Sequence, residues 1–422
     1  MFPEFVRGTL PRWALVRQQF DRTEIDDVAT AVDAALEPVM ATIASGARIC
    51  LAVGSRGIDR IDQVVLAAVR HIQAAGASVF IVPSMGSHGG ATAEGQLAVL
   101  AEYGIAPASM GCEFRSSMET VNLGQARPGL PVYLDRNAFE GADAIVPINR
   151  VKVHTDFSGP IESGLMKMIA IGLGKQKGAD TFHAQGFSVF HELIPVVARH
   201  TMARAPIPFG LALVENSFGR LMHIEAVPAD RIPTREPELL VMATEALARI
   251  PVSEIDVLVV DYLGKDISGL GLDSNVVGRY YSGPTGVPPS IQRIIVRDLT
   301  DLTEGNAVGI GLAEVALRRA VEKIDRRKTY MNVITAKTPE GARIPMTVDS
   351  DSEALSIALG CCVRVTTERA RIVRIRDTKH LETLWVSEPA LPDALLRGQC
   401  EIAQPPRPIA FDRAGMFVDP LD

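Results

Sequence analysis

Aromatic residues are scarce in this 422-residue chain, at 5%, so its core must be filled by Ala, Val, Ile, Leu and Met. No uncharged apolar stretch reaches the roughly 18 residues that a membrane span requires. Cysteine is also sparse: Cys50, Cys112, Cys361, Cys362 and Cys400 are odd in number and show no Cys-x-x-Cys spacing. Neither a disulfide framework nor a zinc knuckle is expected, and reduced, buried thiols suit a cytoplasmic protein. Lys and Arg form no block and the net charge is −7, which argues against a nucleic-acid partner, since phosphate recognition needs a concentrated basic face. Residues 1–13 lack a basic region followed by an apolar run, so no signal peptide is expected. Dinucleotide-binding, P-loop and Gly-x-Ser-x-Gly signatures are missing, and there is no internal repeat.

What is present is the make-up of a packed globular protein, 47% hydrophobic and 22% charged. Its length predicts two domains. Residues 48–53 read as a buried strand, followed by Gly54-Ser55-Arg56-Gly57 and an amphipathic helix over about 58–75. A second strand over 78–82 runs into Pro83-Ser84-Met85-Gly86-Ser87-His88-Gly89-Gly90 and a helix over 91–103. A third, over 143–147, runs into Asn149-Arg150-Val151-Lys152-Val153-His154. Strand, loop, helix, strand is the pattern of a parallel sheet with right-handed crossovers. Ligands bind such sheets outside the carboxyl ends of the strands, where these three loops must gather.

Further along, a helix is expected over 236–248, a strand over 256–260, a strand over 293–297, and helices over 312–323 and 351–359. A short strand over 363–365 and a charged, hairpin-like stretch to Arg376 follow. The boundary falls near residue 250, giving domains over 1–250 and 251–402 and an extended tail over 403–422.

Five residues stand out, each with an ordinary alternative. Arg56, between a strand and a helix N-terminus, can hold a carboxylate with its planar fork, or can be a solvated turn residue. His88 is the main bulk in a glycine-rich loop, where it can exchange protons or merely be exposed. His154 ends a polar segment with Asp156 nearby, as an acid/base or as a surface histidine. Lys167 interrupts the apolar run Gly164–Gly172; burial would make its amine nucleophilic, whereas snorkelling would make it inert. His183 is a metal-ligand candidate with no second His or Cys at local ligand spacing. Lys175 and Lys177 read as loop or anion contacts.

Over residues 45–190 this ordered set resembles the nickel-dependent lactate racemase family. That family has an Arg loop, a Gly-x-His loop, a second His, a lysine in a Gly-rich apolar segment, and a His 16 residues later. Here these fall on Arg56, His88, His154, Lys167 and His183. The resemblance implies an α/β fold of two domains, each with a mostly parallel sheet flanked by helices, and an active site in the cleft between them. It implies nickel held in a nickel pincer nucleotide (pyridinium-3,5-bisthiocarboxylic acid mononucleotide), anchored on Lys167 through a thioamide and ligated by His183. Ser55, Gly86, Ser87, Thr155 and Asp156 would line that cofactor. The implied activity is racemisation or epimerisation of a 2-hydroxy acid: hydride removal gives a planar 2-keto acid and hydride return inverts the centre. His88 and His154 would serve as acid and base, and Arg56 as carboxylate clamp. Partners would be the hydroxy-acid substrate and the cofactor-synthesis and nickel-insertion enzymes, with no nucleic acid and no membrane, and with room for an oligomer.

In the second half, Lys265 and Asp266 fit the start of the family's substrate cluster, but its Tyr, Gln and later Lys are missing. A larger or more polar hydroxy acid, or a sugar acid, is then the expected substrate. Alternatives are a different redox or lyase reaction on the same scaffold, or a non-enzymatic small-ligand or metal-binding protein.

Overall fold

The computed structural model describes residues 8–54, 57–281, 286–397 and 399–421. The chain forms two compact units, one spanning Arg22–Leu247, the other combining residues through Asp21 with those from Ala248 onward. The first strand, β1 (Arg12–Gln18), belongs to the second of these. An N-terminal domain running unbroken over 1–250 therefore needs correction: Arg12–Gln18 finds its backbone partners in strands near the far end of the chain.

In the Arg22–Leu247 unit, α1 (Val28–Met40) leads to β2 (Arg48–Val53), α2 (Ile61–Ala74), β3 (Ser78–Pro83) and α3 (Ala93–Glu102). After β4 (Glu113–Phe114) comes the antiparallel hairpin β5 (Thr120–Arg127) and β6 (Leu130–Asp135), then β7 (Ala144–Arg150). A short helix, α4 (Leu165–Lys167), passes into a π-helical turn at Met168–Gly172, and α5 (Lys175–His183) and α6 (Phe190–Met202) follow. The unit closes with β8 (Phe209–Glu215), β9 (Leu221–Pro228) and α7 (Ile232–Glu245). Its six-stranded sheet has the order β4-β3-β2-β7-β8-β9, parallel except for β9.

Both faces of this sheet are covered, which is why β2 reads as a continuous apolar run rather than an alternating one. Cys50 and Ala52 pack into one core with Phe80, Leu165 and Leu193, while Ile49, Leu51 and Val53 pack into the other with Val65 and Ile72. Because β3 and β7 flank β2 on opposite sides, the chain reverses direction across the sheet there. In open α/β sheets such a reversal is where ligands bind, beyond the carboxyl ends of the strands, here β2 and β7.

The second unit holds an eight-stranded sheet. Its strands are β10 (Glu254–Leu263), β11 (Ser290–Leu299), β12 (Val315–Leu317), β13 (Met346–Val348), β14 (Ile372–Ile375), β15 (Thr383–Ser387) and β16 (Cys400–Pro408), together with β1. The order is β13-β12-β11-β10-β14-β15-β1-β16; the first five are parallel and the last three antiparallel. Helix α8 (Asp351–Gly360) covers one face. Trp13 and Trp385 are fully buried and stack with centroids 5.3 Å apart.

Three expectations fail here. The helix expected over 312–323 is a strand, β12, followed only by a short helix at Arg318–Glu322. Residues 363–365 form no strand, and Val363 is 66% exposed. The tail over 403–422 is not merely laid on a surface: its first residues complete β16, the edge strand against β1. Among the described residues, no helix is long and apolar enough to cross a membrane.

Candidate functional site

The carboxyl ends of β2, β3 and β7 lie side by side in one sheet, so the three loops singled out in the sequence share one edge. Ser55 and Arg56 lie outside the described residues. Gly54, just before them, is where the π turn meets the sheet: a Cβ there would stand 2.8 Å from Met168 Cε and 3.4 Å from Asn149 Oδ1. Asn149 in turn donates from Nδ2 to the Gly164 carbonyl at 2.9 Å, so the end of β7 holds the start of α4.

The loop after β3 is pinned from beneath. Gly86 takes a left-handed backbone (φ 59°), open to glycine without strain, and its amide donates to the Gly172 carbonyl at 3.2 Å. The Gln96 amide donates to the Gly86 carbonyl at 2.9 Å. Lys175, expected as a loop or anion contact, is instead fully buried and is corrected to a structural role. Its Nζ donates to the Pro83 carbonyl at 2.5 Å and to Gln96 Oε1 at 3.1 Å, and pairs with Asp135 Oδ2 at 2.8 Å. Burial is tolerated because the ammonium has three partners. Ser87 and His88 sit on the outer part of this anchored loop, His88 exposed. Lys177 extends over the Tyr133 ring, 4.4 Å from its centroid.

After β7, an antiparallel bridge between Lys152 and Ser163 closes the loop that carries His154, Thr155, Asp156 and Phe157. Glu162, 5% exposed, holds that loop from inside, accepting from the His154 amide at 2.5 Å and the Gly159 amide at 3.1 Å. Burial pushes its carboxyl above the usual range, opposed by those two amides, the Ser158 hydroxyl and the charge of Lys167. The His154 ring stacks on Phe157 at 4.3 Å, and its Nδ1 accepts from the Asp156 amide at 3.0 Å. Asp156 Oδ2 stands 3.7 Å from the same nitrogen and accepts from the Thr155 hydroxyl at 3.0 Å. With Nδ1 an acceptor, the neutral ring carries its proton on Nε2.

Lys167 is neither buried nor fully exposed. Leu165, Met166 and Met168 around it are buried, while Lys167 is partly exposed with Nζ 5.6 Å from the centre of the Phe157 ring. His183 ends α5, edge-on to Phe187 at 5.5 Å and tilted to Phe190 at 5.7 Å. Phe157 lies 6.5 Å from Phe187 and 5.5 Å from Phe190, so His154, Lys167 and His183 converge on one aromatic cluster. His88 is connected to them through its loop, by way of Gly86 and Gly172.

Lys265 and Asp266 occupy the loop after β10 in the other unit and are engaged there. Lys265 Nζ donates to the Gly269 carbonyl and to Asn332 Oδ1 at 2.9 Å; Asp266 Oδ1 accepts from the Thr300 hydroxyl at 2.5 Å.

Sequence reasoning missed Glu162 and Glu236 and misread Lys175. Glu236 is 1% exposed on α7, and its Oε2 accepts from the Met166 amide at 2.9 Å, at the first turn of α4. A signal was available. Ile232, Leu239, Leu240 and Ala243 mark the buried stripe of that helix, and Glu236 falls on it by helical phase.

The protein is a two-unit α/β structure of lactate racemase-like fold. The lactate racemase apoprotein from Thermoanaerobacterium thermosaccharolyticum superposes with a TM-score of 0.50 over 90% of this chain and 95% of that one, at 16% identity. No family profile matches the sequence. No curated protein matches it by sequence either.

Proposed function

We propose that this chain is a racemase or epimerase of a 2-hydroxy acid that works with a nickel pincer nucleotide anchored on Lys167. The observation that carries the reading is that Lys167 and His183, 16 residues apart, meet the same aromatic cluster as His154. The donor set fits such a group. One imidazole, His183, and one amine, Lys167, on the same aromatic cluster suit a metal whose other ligands are organic. Lys167 would hold the group and His183 its metal, with Ser55, Gly86, Ser87, Thr155 and Asp156 around it. When bound, the group supplies an acceptor and donor of hydride at the substrate carbon.

The chain's own residues do the rest. His154 gives or takes the hydroxyl proton at Nε2, acting as base in the tautomer whose proton sits on Nδ1, where Asp156 Oδ2, 3.7 Å away, also stabilises the imidazolium. His88 serves the other face in the same way. Arg56 holds the substrate carboxylate while the carbonyl turns. The aromatic cluster keeps water from the reacting centre.

Lys265 and Asp266 already have partners in their own unit, which favours a substrate other than lactate, larger or more polar, or a different redox or lyase reaction on the same scaffold. Intact-mass and nickel analysis of protein co-expressed with the cofactor-synthesis and nickel-insertion enzymes tests the anchor, and a panel of chiral hydroxy acids tests the reaction. An unmodified Lys167 with no nickel overturns the proposal; a loaded protein that interconverts no enantiomers moves it to the alternative reaction.

A further inference from the structure

The helix that carries Lys167 begins on a buried carboxyl. Glu236 reaches from α7, 70 positions along the chain, to accept from the Met166 amide at 2.9 Å. Gly164 makes room for it, since a Cβ there would lie 2.3 Å from Glu236 Oε1. That same Oε1 is buried and accepts no hydrogen bond among the described residues. On the far side of Lys167 the backbone leaves α-helical pairing for a π turn over Met168–Gly172, an arrangement that frees and redirects side chains at functional sites. Lys167 thus stands between a glutamate-held first turn and a π turn.

We infer that Glu236 is a positioning residue for Lys167: its carboxyl, gripping the first amides of α4, sets how far the Lys167 amine is presented for covalent attachment. This rests on the reading of Lys167 as the anchor and adds the group that governs it. Burial pushes the Glu236 carboxyl up to about 7, opposed by the Met166 and Leu165 amides, so its grip changes close to neutrality. A carboxylate holds amides more strongly than a neutral carboxyl, so protonation loosens the turn.

Among the described residues, the charged groups on the elements packed on α7 are paired, and Glu162, whose carboxyl is also raised and feels Lys167, is common to every variant, so the comparison with Glu236→Gln isolates Glu236. On β9, His223 bonds Glu225, which also takes Arg235; on β8, Glu215 pairs with Arg150; Glu238 on α7 itself pairs with Arg235. Lys167 on α4 is the group being positioned.

The test uses apo protein and needs no cofactor. Wild type, Glu236→Gln and Glu236→Ala are treated with a limiting N-hydroxysuccinimide acetate reagent at several pH values across neutrality. Peptide mass mapping then gives the rate at Lys167 relative to exposed Lys177. In wild type this ratio should rise about threefold as pH falls through 7, the difference between a charged and a neutral acceptor. Glu236→Gln, a neutral acceptor of the same shape, should hold the raised ratio throughout, and Glu236→Ala should raise it further. A wild-type ratio flat with pH, or equal to that of Glu236→Gln at every pH, overturns the inference. Should the alanine variant fail to fold, wild type against Gln still decides. Lys167 found unloaded after co-expression would remove the proposed function while leaving this ratio as measured.

Discussion

Lys175 Nζ and Asp135 Oδ2 stand 2.8 Å apart with neither side chain exposed, directly under the loop that carries His88. Removing one partner strands the other charge in the core, which costs about 3–5 kcal/mol, whereas replacing both with apolar residues costs far less. Lys175→Met is therefore expected to lower the melting temperature sharply, and Lys175→Met with Asp135→Leu to recover most of the loss. Thermal unfolding of the three proteins checks this; a single variant within about 1 kcal/mol of wild type would contradict it.

Gly164 and Glu236 should be coupled. Alanine at Gly164 puts a methyl 2.3 Å from Glu236 Oε1 on a backbone (φ 175°) that any residue can adopt, so the cost is steric alone. We expect Gly164→Ala to destabilise by about 1–3 kcal/mol and to be substantially less harmful in a Glu236→Ala background. Denaturant titration of the four-protein cycle measures the coupling, and strict additivity would show that the two do not meet.

The pH dependence of stability follows from the same carboxyl. Its ordinary value of 4.5 rises to about 7 on folding because burial disfavours the charged form. A raised acid binds its proton more tightly in the folded state, so its contribution is full below 4.5 and is lost as pH climbs to 7. Glu236→Gln removes this loss, so it should be close to wild type at acid pH and more stable by roughly 2–3 kcal/mol at alkaline pH. Unfolding free energies on either side of neutrality check the sign.

Lys167 and His88 are predicted to separate loading from turnover. Lys167→Ala should carry no covalent group after co-expression with the cofactor-synthesis enzymes. His88→Ala should keep the group but lose about 10²–10⁴-fold in rate. Intact mass and enantiomer interconversion together distinguish the two, and full activity in either variant overturns the role assigned to it.

What could be read in advance was local. The strands over 48–53, 78–82 and 143–147 announce themselves because both faces of their sheet are covered and each ends at a turn or polar loop. Leu312–Lys323 misled because Leu, Ala and Glu favour helix, yet Val315–Leu317 is captured between β11 and β13, where pairing outweighs propensity. The true strand at Ile372–Ile375 was hidden by its charges. Arg374 is tolerated in the core because Asp261, 113 positions away, receives it at 2.8–2.9 Å and the Asp419 carbonyl at 2.7 Å. At the candidate site, Lys167, His154 and His183 were visible as odd residues in their segments. Glu162 was not, and Lys175 was misread as a loop contact, because each is explained by partners that the fold supplies.

The placement of β1 has a consequence for the order in which the molecule can be assembled. Arg22–Leu247 is one uninterrupted length of chain and can condense while the ribosome is still at work. Arg12–Gln18, made earlier, takes its strand partners, among the described residues, from Thr383–Ser387 and Cys400–Pro408, so it must wait for them until the last part of synthesis. The half that bears the candidate chemistry can be finished first, while the other closes only when its opening strand is clasped between segments made near the end.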